Sequence, residues 1–149
     1  MTATYEDALL IAVRAHHGQT RWNREPYVVH PIGVAQRVAR PLTGKFTHDY
    51  IEKAKIIAVL HDVLEDTEVG YARISRQFGV EIATAITIVT HEDVDTYAEF
   101  IDRIIASGNE LAIRVKLADL EDNMSTLPDG HGLWGRYQLA HAKLTGVLT

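Results

Sequence analysis

The chain has 149 residues, of which 46% are apolar and 23% charged, enough for one domain with a real core. Fifteen Lys and Arg against 20 Asp and Glu give a formal charge of −5, which leaves no basic footprint for a duplex nucleic acid. There is no cysteine, so disulfides and thiolate metal sites are excluded, and any metal needs nitrogen and oxygen ligands. Met1 to Asp7 lacks the basic start and apolar block of a signal peptide, and no apolar run reaches membrane-spanning length. The expectation is a cytoplasmic protein with neither nucleic acid nor membrane as partner.

Taken in order, nearly every stretch has helical period and none alternates like a strand. Thr4 and Asp7 predict an N-cap for a helix from Tyr5 to about His17, closed by Gly18. A polar loop, Gln19 to Glu25, follows. A second helix begins near Pro26 or Pro31, turns Val34 and Val38 inward and stops before Pro41. Thr47 caps a third helix that ends around Leu64. Shorter helices are predicted over Tyr71–Phe78 and Val80–Val89, then from Asp95 to Ala106, from Asn109 onward, and from Leu133 to Leu148. Glu92, Asp93 and Asp95 read as a solvated acidic face that caps the helix behind them. The fold class is an all-α orthogonal helical bundle, residues 1–149 forming one domain.

The run His61-Asp62-Val63-Leu64-Glu65-Asp66 carries the most chemistry. The stripe Tyr50, Ala54, Ile57, Ala58, carried forward, lands on His61 and Glu65, so polar groups enter a core-facing row. Such groups are costly unless they are paired or bound to something. In the helix after Asn109, Asp119 continues the stripe of Ala112 and Val115, with Asp122 and Asn123 on the same face. His30 sits among apolar residues between Pro26 and Pro31.

His30, His61, Asp62 and Asp119 together offer two nitrogens and two carboxylates, a set suited to a divalent first-row ion with open positions for water. Such an ion acidifies a water and neutralises phosphoryl oxygens. Glu65 and Asp66 stand one turn on, placed to orient that water or take its proton. Hydrolysis of a phosphate ester or anhydride is the expected chemistry. A structural salt bridge of Asp119 with Arg114 or Lys116 is the competing reading, disfavoured on helix faces. His16 and His17 suit a helix C-terminus. Trp22 either stacks on a base, covers the pocket mouth or packs as an ordinary aromatic. His48, His91, His131 and His141 have no constellation around them.

The stretches Ala15–Arg21, Glu25–Ala35, Ala58–Thr67 and Val115–Met124 resemble, in order and spacing, the HD-domain metallophosphohydrolases. More narrowly they resemble the hydrolase domain of the RelA/SpoT homologues and their small stand-alone relatives. The resemblance implies an HD-type bundle that removes the 3′-pyrophosphate from guanosine tetra- or pentaphosphate, usually with Mn(II). By position it assigns His30, His61, Asp62 and Asp119 to the metal, Glu65 and Asp66 to water activation, Arg21 to packing on the base and Asn123 to the nucleoside. The chain departs from the family at Trp22, Leu120, Asp122 and Ser125, where Lys, Arg, His and Arg are usual. Lys116, Arg136 and Lys143 are the candidates to replace those cations. Another phosphorylated nucleotide (a nucleoside monophosphate or NADPH) and a non-catalytic nucleotide- or metal-binding module are the alternatives.

Overall fold

In a computed structural model, which describes residues 2–148, helices account for the regular structure. In chain order they are α1 (Tyr5–Ala15), α2 (Val29–Ala39), α3 (His48–Leu60), α4 (Val63–Asp66), α5 (Tyr71–Phe78), α6 (Val80–Ile88), α7 (Tyr97–Ala106), α8 (Glu110–Thr126) and α9 (Trp134–Leu148). A single 3₁₀ turn, Arg40–Leu42, follows α2 where Pro41 interrupts it.

Side-chain caps set four of the starts. Thr4 and Asp7 form a reciprocal capping box on α1, and Thr96 and Glu99 form another on α7. Thr47 and Asn109 cap α3 and α8. The cap of α7 is thus Thr96 rather than its acidic neighbours, and Asp95 instead pairs with Arg103 at 2.7 Å. Pro31 lies within the first turn of α2, where the missing N–H has no intrahelical partner to lose.

The third helix is shorter than its apolar stripe suggests. It stops at Leu60, and Asp62 adopts φ −101°, ψ −2° before α4 begins. His61 Nδ1 donates to the carbonyl of Ala58 at 2.7 Å, one turn back. A straight helix would turn neighbouring residues about 100° apart, at 3.6 residues per turn. The break instead lets His61 and Asp62 reach the same space.

Two apolar clusters surround that break. The larger takes Ile11, Val34, Ile57, Leu60, Ile74 and Ile86 from α1, α2, α3, α5 and α6. The smaller joins Phe100, Ile101 and Ile104 of α7 to Ala140 and Leu144 of α9. Helix α8 contributes to both, with Ala112, Val115 and Ala118 in the first and Ile113 and Leu120 in the second. Asp119 therefore sits on a strut braced from two sides.

Leu144 is fully buried in the smaller cluster. Leu144→Ala should destabilise the protein by about 2–5 kcal/mol, seen as a lower denaturant midpoint.

Candidate metal centre

Three segments bring four candidate ligand atoms together, and His30, His61 and Asp62 offer atoms that all lie within 4.8 Å of one another. His30 comes from the first turn of α2, His61 and Asp62 from the α3–α4 break, and Asp119 from α8. His30 Nε2 is 2.9 Å from Asp119 Oδ1 and 3.9 Å from Asp62 Oδ2. His61 Nε2 is 3.0 Å from Asp62 Oδ2 and 3.4 Å from Asp119 Oδ1. Two ligands about 2.1 Å from one ion and at right angles would stand about 3.0 Å apart, so these separations suit a shared divalent cation.

Both imidazoles are turned for that task. His61 Nδ1 is held by the Ala58 carbonyl, while the buried Nε2 has no hydrogen-bond partner despite its two carboxylate neighbours. His30 Nδ1 is 2.7 Å from Asp122 Oδ2, which likewise leaves Nε2 facing Asp119. Outer partners of this kind fix ring orientation at metal sites. The donor set and the unmatched nitrogen fit a divalent metal.

The surrounding charges are tightly paired. Lys116 Nζ lies 2.6 Å from Asp119 Oδ2. The salt bridge disfavoured on sequence grounds therefore exists, because residues three apart share a helix face. It occupies Oδ2 and leaves Oδ1 toward the histidines. Tyr27 donates its hydroxyl to Asp62 Oδ2. Burial opposes ionisation of Asp119, but Lys116 and the histidines hold its carboxyl well below the ordinary value. Burial is likewise outweighed at Asp62, where His61 brings the pKa down to about 2. Conversely, despite burial, Asp62 and Asp119 lift His61 and bonds to Asp119 and Asp122 lift His30.

A cleft of about 220 Å³ opens over the four residues, lined also by Tyr27, Glu65, His91, Tyr97, Lys116, Asn123 and Arg136. Glu65 Oε1 accepts the His91 N–H at 2.9 Å, which aims the carboxylate. Burial, then the charges of Asp62 and Asp66, raises Glu65 above the ordinary glutamate value; Asp66 is raised by burial and Asp62. Asp66 keeps an oxygen within 4.8 Å of those of Asp62 and Glu65, yet lines the neighbouring groove with Gln19 and Arg73.

Beyond Asn123 lies a second cleft of about 270 Å³, lined by Arg21, Trp22, Pro128, His131 and Tyr137 among others. Asn123 belongs to both clefts and donates to Asp119 Oδ1 at 3.1 Å. Arg21 is anchored rather than loose, donating to Thr126 Oγ1 at 3.2 Å and Asn123 Oδ1 at 3.4 Å. Trp22 is 61% exposed at the rim. His16, at the end of α1, packs on Tyr27 with ring centroids 4.9 Å apart and bonds Gln19.

The departures from the family pattern point away from the metal cleft. Leu120 is buried in the smaller core cluster, Asp122 bonds His30, and Ser125 Oγ donates to the Asp122 carbonyl. Two of the candidate cations, Lys116 and Arg136, do line the cleft, whereas Lys143 pairs with Asp102 at 3.3 Å. Tyr27, His91 and Tyr97 complete the wall and were not singled out by the sequence. Tyr27 had a signal, its place between Pro26 and His30; His91 and Tyr97 had none.

No protein-family model matches the chain. Over 129 residues it is 39% identical to a guanosine-3′,5′-bis(diphosphate) 3′-pyrophosphohydrolase of Borreliella burgdorferi, covering 80% of this chain and 18% of that protein. It is 36% identical to the bifunctional (p)ppGpp synthase/hydrolase SpoT of Escherichia coli, covering 80% and 17%. The chain thus spans under a fifth of the length of these curated relatives. A solved structure described as a metazoan ortholog of SpoT that hydrolyzes ppGpp shares the fold, with TM-score 0.74 and 24% identity over 97% of this chain and 84% of that one. Over four-fifths of its length the chain is similar to proteins named for (p)ppGpp hydrolysis.

Metal uptake should release protons, since His30 and His61 sit above the ordinary histidine value of about 6.5 and must be neutral to ligate. Apparent Mn(II) affinity should therefore rise with pH through neutrality, measured by calorimetry in buffers of different ionisation enthalpy. In the metal-free protein the two raised histidines stabilise fully below about pH 6.5. That contribution is lost as pH climbs through the raised values, a trend thermal melts will register.

Proposed function

We propose that this chain is a Mn(II)-dependent phosphohydrolase, one domain over residues 1–149, that removes the 3′-pyrophosphate from guanosine tetra- or pentaphosphate in the cytoplasm. The observation that carries the reading is the convergence of His30, His61, Asp62 and Asp119 in a cleft that also holds Glu65. The similarity to proteins named for that reaction supports the substrate.

His30, His61, Asp62 and Asp119 would hold the ion, which supplies a water acidified toward neutral pH and charge neutralisation on phosphoryl oxygens. Glu65 takes the proton from the attacking water. Its raised pKa brings it nearer the working pH than an exposed glutamate, which suits a general base. The water oxygen joins the phosphorus next to the ribose, the 3′ oxygen leaves with a proton, and the products are GDP or GTP and pyrophosphate. Lys116 keeps Asp119 ionised and, with Arg136, brings positive charge to the cleft wall. The nucleoside extends past Asn123 into the second cleft, where Arg21 and Trp22 meet the base.

That second cleft favours one other reading. Its aromatic lining, with Trp22 where the family has Lys, stacks on any base, so another phosphorylated nucleotide is the alternative substrate.

Metal-stripped protein reloaded with Mn(II) should convert guanosine tetraphosphate to GDP and pyrophosphate. Turnover only of other nucleotides in the same panel would move the assignment to the second reading. Glu65→Gln should keep the metal but lose about a hundredfold or more in rate. Wild-type kcat/KM should fall as pH drops through the raised Glu65 value, with the acid limb above the ordinary glutamate range.

A further inference from the structure

At position 122 the chain carries an acid, where the family it resembles usually has an imidazole, and that acid lies outside the cleft lining. Asp122 is buried, with Oδ2 2.7 Å from His30 Nδ1 and Oδ1 accepting from Arg37 Nε at 3.1 Å. A second arginine, Arg21, approaches Oδ2 at 3.8 Å. Gly33, three residues after His30, lies on the same face of α2 as His30 and Arg37. A Cβ at residue 33 would lie only 2.4 Å from Asp122 Oδ1. The carboxylate is therefore seated on one face of α2, bonded to His30 and Arg37 and fitted against bare backbone at Gly33 between them.

We propose that Asp122 is the positioning residue of the metal centre: it orients the His30 ring through Nδ1, makes Nε2 a better ligand, and depends on Gly33 for the space to do so. The inference rests on the metal reading of the site but not on the identity of the substrate. A carboxylate behind a ligating imidazole raises the basicity of the ligand and sets its tautomer, and loss of such a partner costs about 10- to 100-fold in metal affinity. The competing account is mechanical. Asp122 and Arg37 would merely tie α8 to α2.

Three variants separate the accounts, read by calorimetric titration of metal-stripped protein with Mn(II) alone. Asp122→Asn removes the charge but keeps an acceptor oxygen. Gly33→Ala keeps the carboxylate but displaces it, while alanine is the better helix former. Arg37→Gln breaks the interhelical tie and spares His30. The expected result is a loss of about 10- to 100-fold in affinity for the first two, with most of the affinity kept in the third. Wild-type affinity in Asp122→Asn and Gly33→Ala, or an equal loss in Arg37→Gln, would overturn the proposal.

Should the variants fail to fold, nitrogen-15 NMR of the Zn(II)-loaded wild-type protein decides. It should show His30 protonated at Nδ1 and ligating through Nε2; the reverse arrangement overturns the proposal. Metal bound in this way without turnover of guanosine tetraphosphate would sink the substrate reading and leave this one standing. Failure of the wild-type chain to take up Mn(II) would overturn the positioning role itself.

Discussion

Two buried imidazoles, each with its Nε2 within 4 Å of an oxygen of both Asp62 and Asp119, set the conditions for everything around them. Two carboxylates there repel each other, and each loses water that would have solvated it. The protein meets this with Lys116 on one oxygen of Asp119, the Tyr27 hydroxyl on Asp62, and two imidazoles between the acids. Lys116 takes Oδ2 of Asp119 and leaves Oδ1 toward the histidines. The arrangement is held together by groups outside it, yet its own charges are matched only incompletely, as the unpartnered nitrogen of His61 records. A divalent cation is the species that completes such a set.

The backbone reaches this geometry by interruption rather than by regularity. A continuous helix would have carried His61 and Asp62 to different faces. The Ala58 carbonyl takes the His61 ring instead, and Asp62 sits in a sparsely occupied backbone region that ends one helix and starts the next. Helix α2 contributes its ligand from the first turn, close behind the paired loop in which Thr20 faces Pro26 and Arg24 adopts φ 69°. Arg21, in the same loop, is thereby brought beside α8.

Much of this was legible in the sequence because it is local. Caps announce themselves by residue type, so Thr4, Thr47 and Asn109 place three helix starts within a residue. The stripe through Ala54 and Ile57 points at His61 whether or not the helix continues, which is why it located the inward histidine but missed the break. Spacing within α8 put Asp119 inside, yet the same spacing puts Lys116 beside it, and the helix-face argument misjudged that pair. Long-range matches left no trace in one sequence. Asp122 and His30 are 92 positions apart, and Arg21 and Thr126 are 105. The acid at 122 therefore read as a lost charge near the substrate, although its side chain faces His30.

The placement of α8 across both apolar clusters bears on how the molecule breathes. An opening that frees Asp119 must draw α8 out of two cores together, so it costs nearly as much as global unfolding and belongs to the slowest tier of amide exchange. Cleft and scaffold form one cooperative unit along that helix. The short α4, by contrast, has only Val63 fully buried, so Glu65 rides on a segment that can open alone. Glu65 and Asp119, the proposed proton acceptor and metal ligand, thus belong to different tiers of local stability. On that proposal Glu65 can relax while Asp119 stays in place.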